Sequence, residues 1–285
     1  MMRPKEHGTS RRGFLCSASA AAAFAVAGSP RAEADAVKGE PKKIPFQLGL
    51  ASYTTRSFTL DETIEMAQGL QFEYLCLKSF HLPMDATAEE CRAAAEKVKG
   101  AGIDLYGGGV IGMSNEDQVD QAFNYAVAAG MRVIVGVPHP DVLPLVDKKV
   151  KQHDIKVAIH NHGPGDKMYP TPEAAIEKVK DLDPRIGLCM DIGHTLRIGA
   201  DPIEDAVRFA DRLHDLHIKD VSAAAPEGKT VEIGRGVIDI PRFLRTLISS
   251  GFSGIASFEY EKDGKNPLPG LAESVGYVRG VLAAI

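Results

Sequence analysis

From residue 46 onward the chain alternates short, mostly apolar runs with longer stretches in which apolar residues recur every three or four positions. The short runs are 46–52, 73–77, 103–106, 132–137, 155–160, 186–190, 213–218 and 254–258. They have the near-continuous hydrophobicity of parallel strands covered on both faces. The longer stretches, 60–70, 88–99, 115–129, 141–153, 172–180, 203–212, 240–250 and 271–282, carry the period of helices with one apolar stripe. Thr59 to Glu62 and Ser114 to Asp117 read as capping boxes, and Pro172 and Pro202 suit a first helical turn. Gly100, Gly130 and Gly251 stand where the periodicity stops.

Eight strand-helix rounds in one uninterrupted chain predict the α/β class, and specifically a single closed (β/α)8 barrel of eight parallel strands with outer helices. The competing arrangement is an open doubly wound sheet. Against it, the first strand is followed by Tyr53-Thr54-Thr55-Arg56 and not by a glycine-rich phosphate loop. Gly107-Gly108-Gly109, after the third strand, lacks the dinucleotide-binding spacing and reads as a tight turn between strand and helix.

The N-terminus follows a different pattern. Arg11-Arg12 precede an Ala-rich apolar run ending near Gly28, and Ala32-Glu33-Ala34 follow. Residues 1–34 therefore read as a twin-arginine export signal, 35–44 as a linker and 45–285 as the barrel. Export predicts a periplasmic or otherwise extracytoplasmic location, and the apolar run is too short and Ala-rich for a membrane span, so none is expected after signal removal. Cleavage leaves 28 basic and 36 acidic side chains, a formal charge of −8. That excess of acid argues against nucleic acid as a partner, since phosphate binding needs a basic face. Three of the four cysteines remain, Cys76, Cys91 and Cys189, without the spacing of a disulfide framework or zinc knuckle.

In such barrels the chemistry sits where strands run into the following loops. Lys78 and His81 follow the second strand, His139 the fourth, and His160 and His162 end the fifth. Asp191 and His194 end the sixth, His217, Lys219 and Asp220 the seventh, and Glu259 and Glu261 the eighth. His160 and His162 are two apart, so strand alternation points both to one side. His160, Asp191, His217 and Glu259 would then converge on one divalent ion through two imidazoles and two carboxylates. Each alone admits a structural role: Asp191 a loop cap, Glu259 an ion pair, His217 a core histidine. Charged groups at the ends of four successive buried strands are harder to explain that way, because an unpaired buried charge costs several kcal/mol.

The succession of His160-Asn161-His162-Gly163, Asp191-Ile192-Gly193-His194, His217-Ile218-Lys219-Asp220, Gly234-Arg235-Gly236 and Ser257-Phe258-Glu259 resembles the xylose-isomerase-like TIM-barrel superfamily, over roughly residues 45–285. That superfamily includes sugar isomerases and epimerases, inosose dehydratases, keto-sugar lyases and apurinic endonucleases. The resemblance implies that Asp191, His217 and Glu259 bind a divalent metal, with His160 standing where a Glu is usual. It also implies substrate contact by His194 and Arg235, to which the strand-end positions add His81 and Lys219. Two imidazoles and two carboxylates balance a dication and favour Mn, Co, Zn or Fe over Mg, which prefers oxygen. With Glu259 the one remaining Glu of the set, proton transfer falls to Glu259 together with His162, Lys78 or Lys219.

The expected activity is therefore a metal-dependent isomerase, epimerase or lyase acting on a sugar or keto-sugar by proton abstraction next to a carbonyl. Export favours an unphosphorylated substrate, such as a 3-keto-glycoside undergoing elimination or hydration. Two other readings stay open: a metal-dependent phosphodiesterase of the apurinic-endonuclease type, and a non-catalytic sugar-binding barrel. The loop 222–229 suggests a lid edge or a plain solvated connector, and self-association is left open.

Overall fold

The computed structural model describes residues 44–285. The export signal, and nearly all of the linker, lie outside the described residues. Eight parallel strands close into a barrel: β1 (Gln47–Ala51), β2 (Tyr74–Leu77), β3 (Asp104–Met113), β4 (Val133–Pro138), β5 (Lys156–His160), β6 (Ile186–Asp191), β7 (Leu213–Ile218) and β10 (Ile255–Phe258). β1 pairs with β10, so the barrel shuts on itself. Between β7 and β10 the chain adds an antiparallel pair, β8 (Asp220–Val221) and β9 (Thr230–Val231). Helices α1 (Leu60–Gly69), α2 (Ala88–Gly100), α3 (Glu116–Ala128), α4 (Leu143–His153), α5 (Pro172–Val179), α6 (Ile192–Arg197), α7 (Pro202–Arg208) and α8 (Ile240–Ser249) lie between the strands, and α9 (Leu268–Ala284) follows β10. None of the described helices is long and apolar enough to cross a membrane.

Strand alternation divides the core in two. Val157, Ile159, Leu188, Met190, Leu216, Ile218 and Phe258 point outward into the large cluster under the helices. Their neighbours Ala158, Cys189 and Ile255, with Cys76, Tyr106, Val133 and Val135, fill a separate cluster inside the barrel. Apolar area buried at about 25 cal/mol per Å² makes the outer cluster the main source of stability. The inner cluster, by contrast, is the floor beneath the strand ends.

Local signals mostly act as expected. Thr59 and Glu62 form a reciprocal capping box on α1, and Thr87 with Glu90 forms a second on α2 that was not expected from the sequence. Pro172 and Pro202 open α5 and α7. The cap of α3 is Asn115, whose side chain accepts from the Gln118 N–H, one position later than the Ser114 box expected. Gly130 and Gly251 adopt positive φ after their helices, whereas α2 runs through Gly100 and the left-handed residue is Gly102.

The glycine triplet is the main local surprise. It forms no turn: β3 continues through it to Met113 and pairs with β4, with a register shift between Gly108 and Ile111. The reason is strand proximity. A Cβ on Gly107 would lie 2.9 Å from the Val133 carbonyl oxygen, and one on Gly109 only 2.3 Å from that of Val135. The glycines let two backbones approach. A further element that periodicity did not reveal is α6, a short helix that starts directly on the last residue of β6.

Candidate active site

Each of the residues that alternation turns inward at the top of β5, β6, β7 and β10 brings a metal-ligating atom. His160 Nε2 lies 3.0 Å from His217 Nδ1 and 3.6 Å from Asp191 Oδ2, and His217 Nδ1 lies 3.3 Å from Glu259 Oε2. One donor atom from each of His160, Asp191, His217 and Glu259 falls within 4.8 Å of the others. An ion with bonds near 2.1 Å separates tetrahedral ligands by roughly 3.4 Å, so the spacing suits a small divalent cation. All four side chains are buried.

The strand ends are tied together around them. Asp191 does cap a helix, its Oδ1 accepting from the His194 N–H at 2.8 Å, while its Oδ2 faces the cluster. Asn161, between the two histidines, accepts from the Asp191 N–H at 3.0 Å and donates to Thr195 Oγ1 at 3.1 Å. Thr195 in turn donates to the Asp191 carbonyl at 2.7 Å. The imidazoles and carboxylate therefore sit on a hydrogen-bonded frame instead of free loops.

Lys219 is the cation already among these groups. Its Nζ is 2.7 Å from Asp191 Oδ2 and 2.6 Å from Glu259 Oε2, and it also pairs with Glu261. Burial alone would lower the Lys219 ammonium, but Asp191, Glu259 and Glu261 outweigh it and hold it well above the usual lysine value. Burial would likewise raise both carboxyls; for Asp191 the neighbouring His194 and Lys219 and the hydrogen bond from His160 prevail, and for Glu259 the neighbouring His217 and Lys219, so both stay ionised. Burial pushes His160 down to about 3, leaving it neutral and able to ligate. Against its own burial, His217 is raised by Glu259, Asp215 and Asp191.

Three carboxylates facing one ammonium leave a surplus of two negative charges. A dication cancels that surplus, and buried charge that is not cancelled is costly. His160 Nδ1 and His217 Nε2, the ring nitrogens other than those that meet the carboxylates, are buried without a hydrogen-bond partner. The residues present therefore suit a divalent metal.

Above the cluster opens a cavity of about 180 Å³ lined by Tyr53, Lys78, Val110, His160, His162, His194, Glu259 and Glu261. Lys78 is lowered, chiefly by burial, and its Nζ lies 5.6 Å from the Tyr53 ring centre. His162 pairs with Asp166 at 3.3 Å, its side chain 43% exposed at the rim. Glu261 and Tyr53 are lining residues that were not picked out from the sequence as site residues. Glu261 shares the alternation of Glu259, which was a usable signal; Tyr53 had none beyond following β1.

Three expected substrate contacts do not line the cavity: Lys219 is buried in its ion pairs with Asp191 and Glu259, and His81 and Arg235 lie elsewhere. His81 is buried beneath the β1 loop, Nδ1 2.9 Å from Ser52 Oγ and Nε2 within reach of the Thr55 and Phe58 carbonyls at 3.2 and 3.1 Å. It binds two loops together and does not line the cavity. Arg235 is 63% exposed and donates to Glu273 of α9 at 2.8 Å. The loop carrying it is held by Asp220, whose carboxylate accepts from the N–H groups of Val221, Gly234, Gly236 and Ile238. His139 pairs with Asp141 on the surface.

Among the cavity-lining residues Lys78 is the one Lys or Arg, against the carboxylates of Glu259 and Glu261.

Comparison with known proteins agrees with this architecture. The chain is 28% identical over 131 residues to the rhizopine catabolism protein MocC of Rhizobium meliloti, a match covering 41% of this chain and spanning 40% of that relative's length. In structure it is similar to an L-ribulose 3-epimerase, with a TM-score of 0.69, 14% identity, 84% of this chain and 95% of that one covered. It is also similar to an IolI protein solved with a zinc atom bound, with a TM-score of 0.66, 18% identity, 84% of this chain and 99% of that one covered. At these identities the structural likenesses speak for the fold. The family model for xylose isomerase-like TIM barrels matches residues 62–281, across every strand from β2 to β10, and the chain belongs to that family.

Proposed function

We propose that the protein is a divalent-metal-dependent enzyme that abstracts a proton next to the carbonyl of a sugar or keto-sugar, in the manner of an isomerase, epimerase or lyase. One observation carries this reading: four buried donor atoms, from His160, Asp191, His217 and Glu259, gather within 4.8 Å of one another beneath an open cavity. The epimerase and the zinc-bound protein of the same fold support it. A bound divalent ion would polarise a carbonyl oxygen and stabilise the negative charge that develops there.

The chain's own groups supply the rest. Lys78 on the β2 side and His162 on the β5 side stand three strands apart around the barrel and both border the cavity. Burial lowers the Lys78 ammonium, which makes its amine a better proton acceptor near neutral pH. His162, partnered by Asp166, stands at the rim where it can hand a proton to a carbon or a leaving oxygen. Two exchanging groups on opposite sides suit epimerisation, or elimination when a β-substituent departs. Tyr53 offers an aromatic face to the apolar side of a sugar ring.

The leader read in residues 1–34 supports an unphosphorylated substrate met outside the cytoplasm, and a 3-keto-glycoside has both the carbonyl and the β-leaving group. The experiment is turnover of keto-sugars and their glycosides in deuterated water with Mn, Co or Zn. Deuterium should enter the carbon next to the carbonyl; turnover without exchange, or activity unchanged in chelator-stripped protein free of metal by elemental analysis, would remove the proposal.

A further inference from the structure

Beneath the four-donor cluster the barrel holds a fifth group able to bind a metal. Cys189 is the inward residue of β6 two positions before Asp191, and its register partners are His160 on β5 and Asp215 on β7. His160, Cys189 and His217 each place a donor atom within 4.8 Å of the other two, and all three residues are buried. Tetrahedral sites with nitrogen bonds near 2.1 Å and a sulfur bond near 2.3 Å keep their donors roughly 3.3–3.8 Å apart. Small side-chain rotations therefore bring the three onto one ion.

A buried cysteine alone would be filler, as Ala158 and Val133 are in the same interior cluster. The histidines indicate more. Each has one ring nitrogen facing the outer carboxylates and another, His160 Nδ1 or His217 Nε2, buried with no partner. Unsatisfied buried nitrogens are rare in native interiors. The second carboxylate oxygen of Asp215, whose first accepts from Cys189 Sγ at 3.7 Å, also lacks a partner.

We propose that Cys189 is an interior thiolate ligand, so that the histidine pair offers a divalent ion two seats: an outer one with Asp191 and Glu259, and an inner one with Cys189. Hard ions that prefer oxygen take the outer seat, and thiophilic ions such as Co(II), Zn(II) or Cd(II) draw on the sulfur. On ligation the sulfur lone pair enters the metal bond and the thiol proton leaves to solvent; nothing is oxidised. The centre would then select its metal by softness, beyond what the imidazole-carboxylate set imposes. This rests on the metal reading above.

The test is Co(II) titration of the whole protein, followed by absorption. The expected result is one cobalt per chain with visible d–d bands and a near-ultraviolet thiolate-to-cobalt charge-transfer band. That band should persist in Cys76→Ser and Cys91→Ser and vanish in Cys189→Ser and Cys189→Ala, which still show d–d bands. Wild-type protein that binds cobalt without the charge-transfer band would overturn the Cys189 assignment and leave the four-donor site intact. A band that survives both Cys189 variants would do the same. Failure of the wild type to bind cobalt at all would overturn both readings.

Discussion

Lys219→Met removes the ammonium from among three carboxylates while keeping a chain of similar length in the same buried channel. Nζ sits 2.7 Å from Asp191 and 2.6 Å from Glu259, whose side chains are 0% and 6% exposed. At an effective dielectric near 20 each contact is a gross attraction of about 6 kcal/mol. Much of that is offset by the cost of desolvating the ammonium, and removing one partner of a buried pair costs a net ~3–5 kcal/mol. For a domain of this size about 1 kcal/mol shifts the midpoint by roughly 2–4 °C, so the metal-stripped variant should melt on the order of 6–20 °C below wild type. A bound dication would supply the missing positive charge. In saturating Mn(II) or Co(II) the gap should therefore shrink to a few degrees. The assay is thermal unfolding followed by circular dichroism, both proteins with chelator and with metal. Equal losses under the two conditions would refute the charge accounting, as would a loss below about 1 kcal/mol in chelator.

The other predictions address separate parts of the molecule. Burial pushes the Asp215 carboxyl up to about 7, well above its unfolded value near 4. Its protonated form is thus favoured by folding: stability is full at low pH and is lost as pH rises from about 4 through 7. Asp215→Asn should be more stable than wild type at pH 8 by a few kcal/mol, since each tenfold change in proton affinity on folding is worth about 1.4 kcal/mol. That advantage should disappear near pH 4–5 in urea titrations. His160→Ala should abolish tight metal binding by elemental analysis, while His162→Ala should keep the metal and lower turnover; the reverse would exchange their roles. Asp220→Ala leaves four backbone N–H groups without their acceptor and should cost about 3 kcal/mol or more, with faster amide exchange confined first to residues 232–238. Lys78→Met should cut turnover and flatten the rise of activity with increasing pH, because a base works only once deprotonated, with metal content unchanged; a merely structural lysine would leave that limb in place.

The barrel was legible because its signals are local and repeated: eight apolar runs, eight amphipathic stretches and their caps. Period-2 alternation also carried the site, since His160 and His162, Asp191, His217, and Glu259 with Glu261 share the inward set of their strands. The same rule, applied to Cys189, would have flagged the inner donor. Where local chemistry misled, tertiary proximity was the cause. The glycine triplet looks like a turn until Val133 and Val135 are seen pressed against it. Arg235 follows an apparent site loop, yet the Asp220 carboxylate fixes that loop so that the guanidinium meets Glu273 on the outside.

The sequence by itself determined the class, the strand count and which side chains enter the barrel, because periodicity and caps depend on neighbours within a few residues. Only the closed structure decided which inward groups meet. Barrel closure and strand register brought Lys219 between Asp191 and Glu259, put His81 under the β1 loop away from the cavity, and stacked Cys189 beneath two histidines from other strands. Those contacts join residues tens of positions apart, and no local pattern encodes the distance between them.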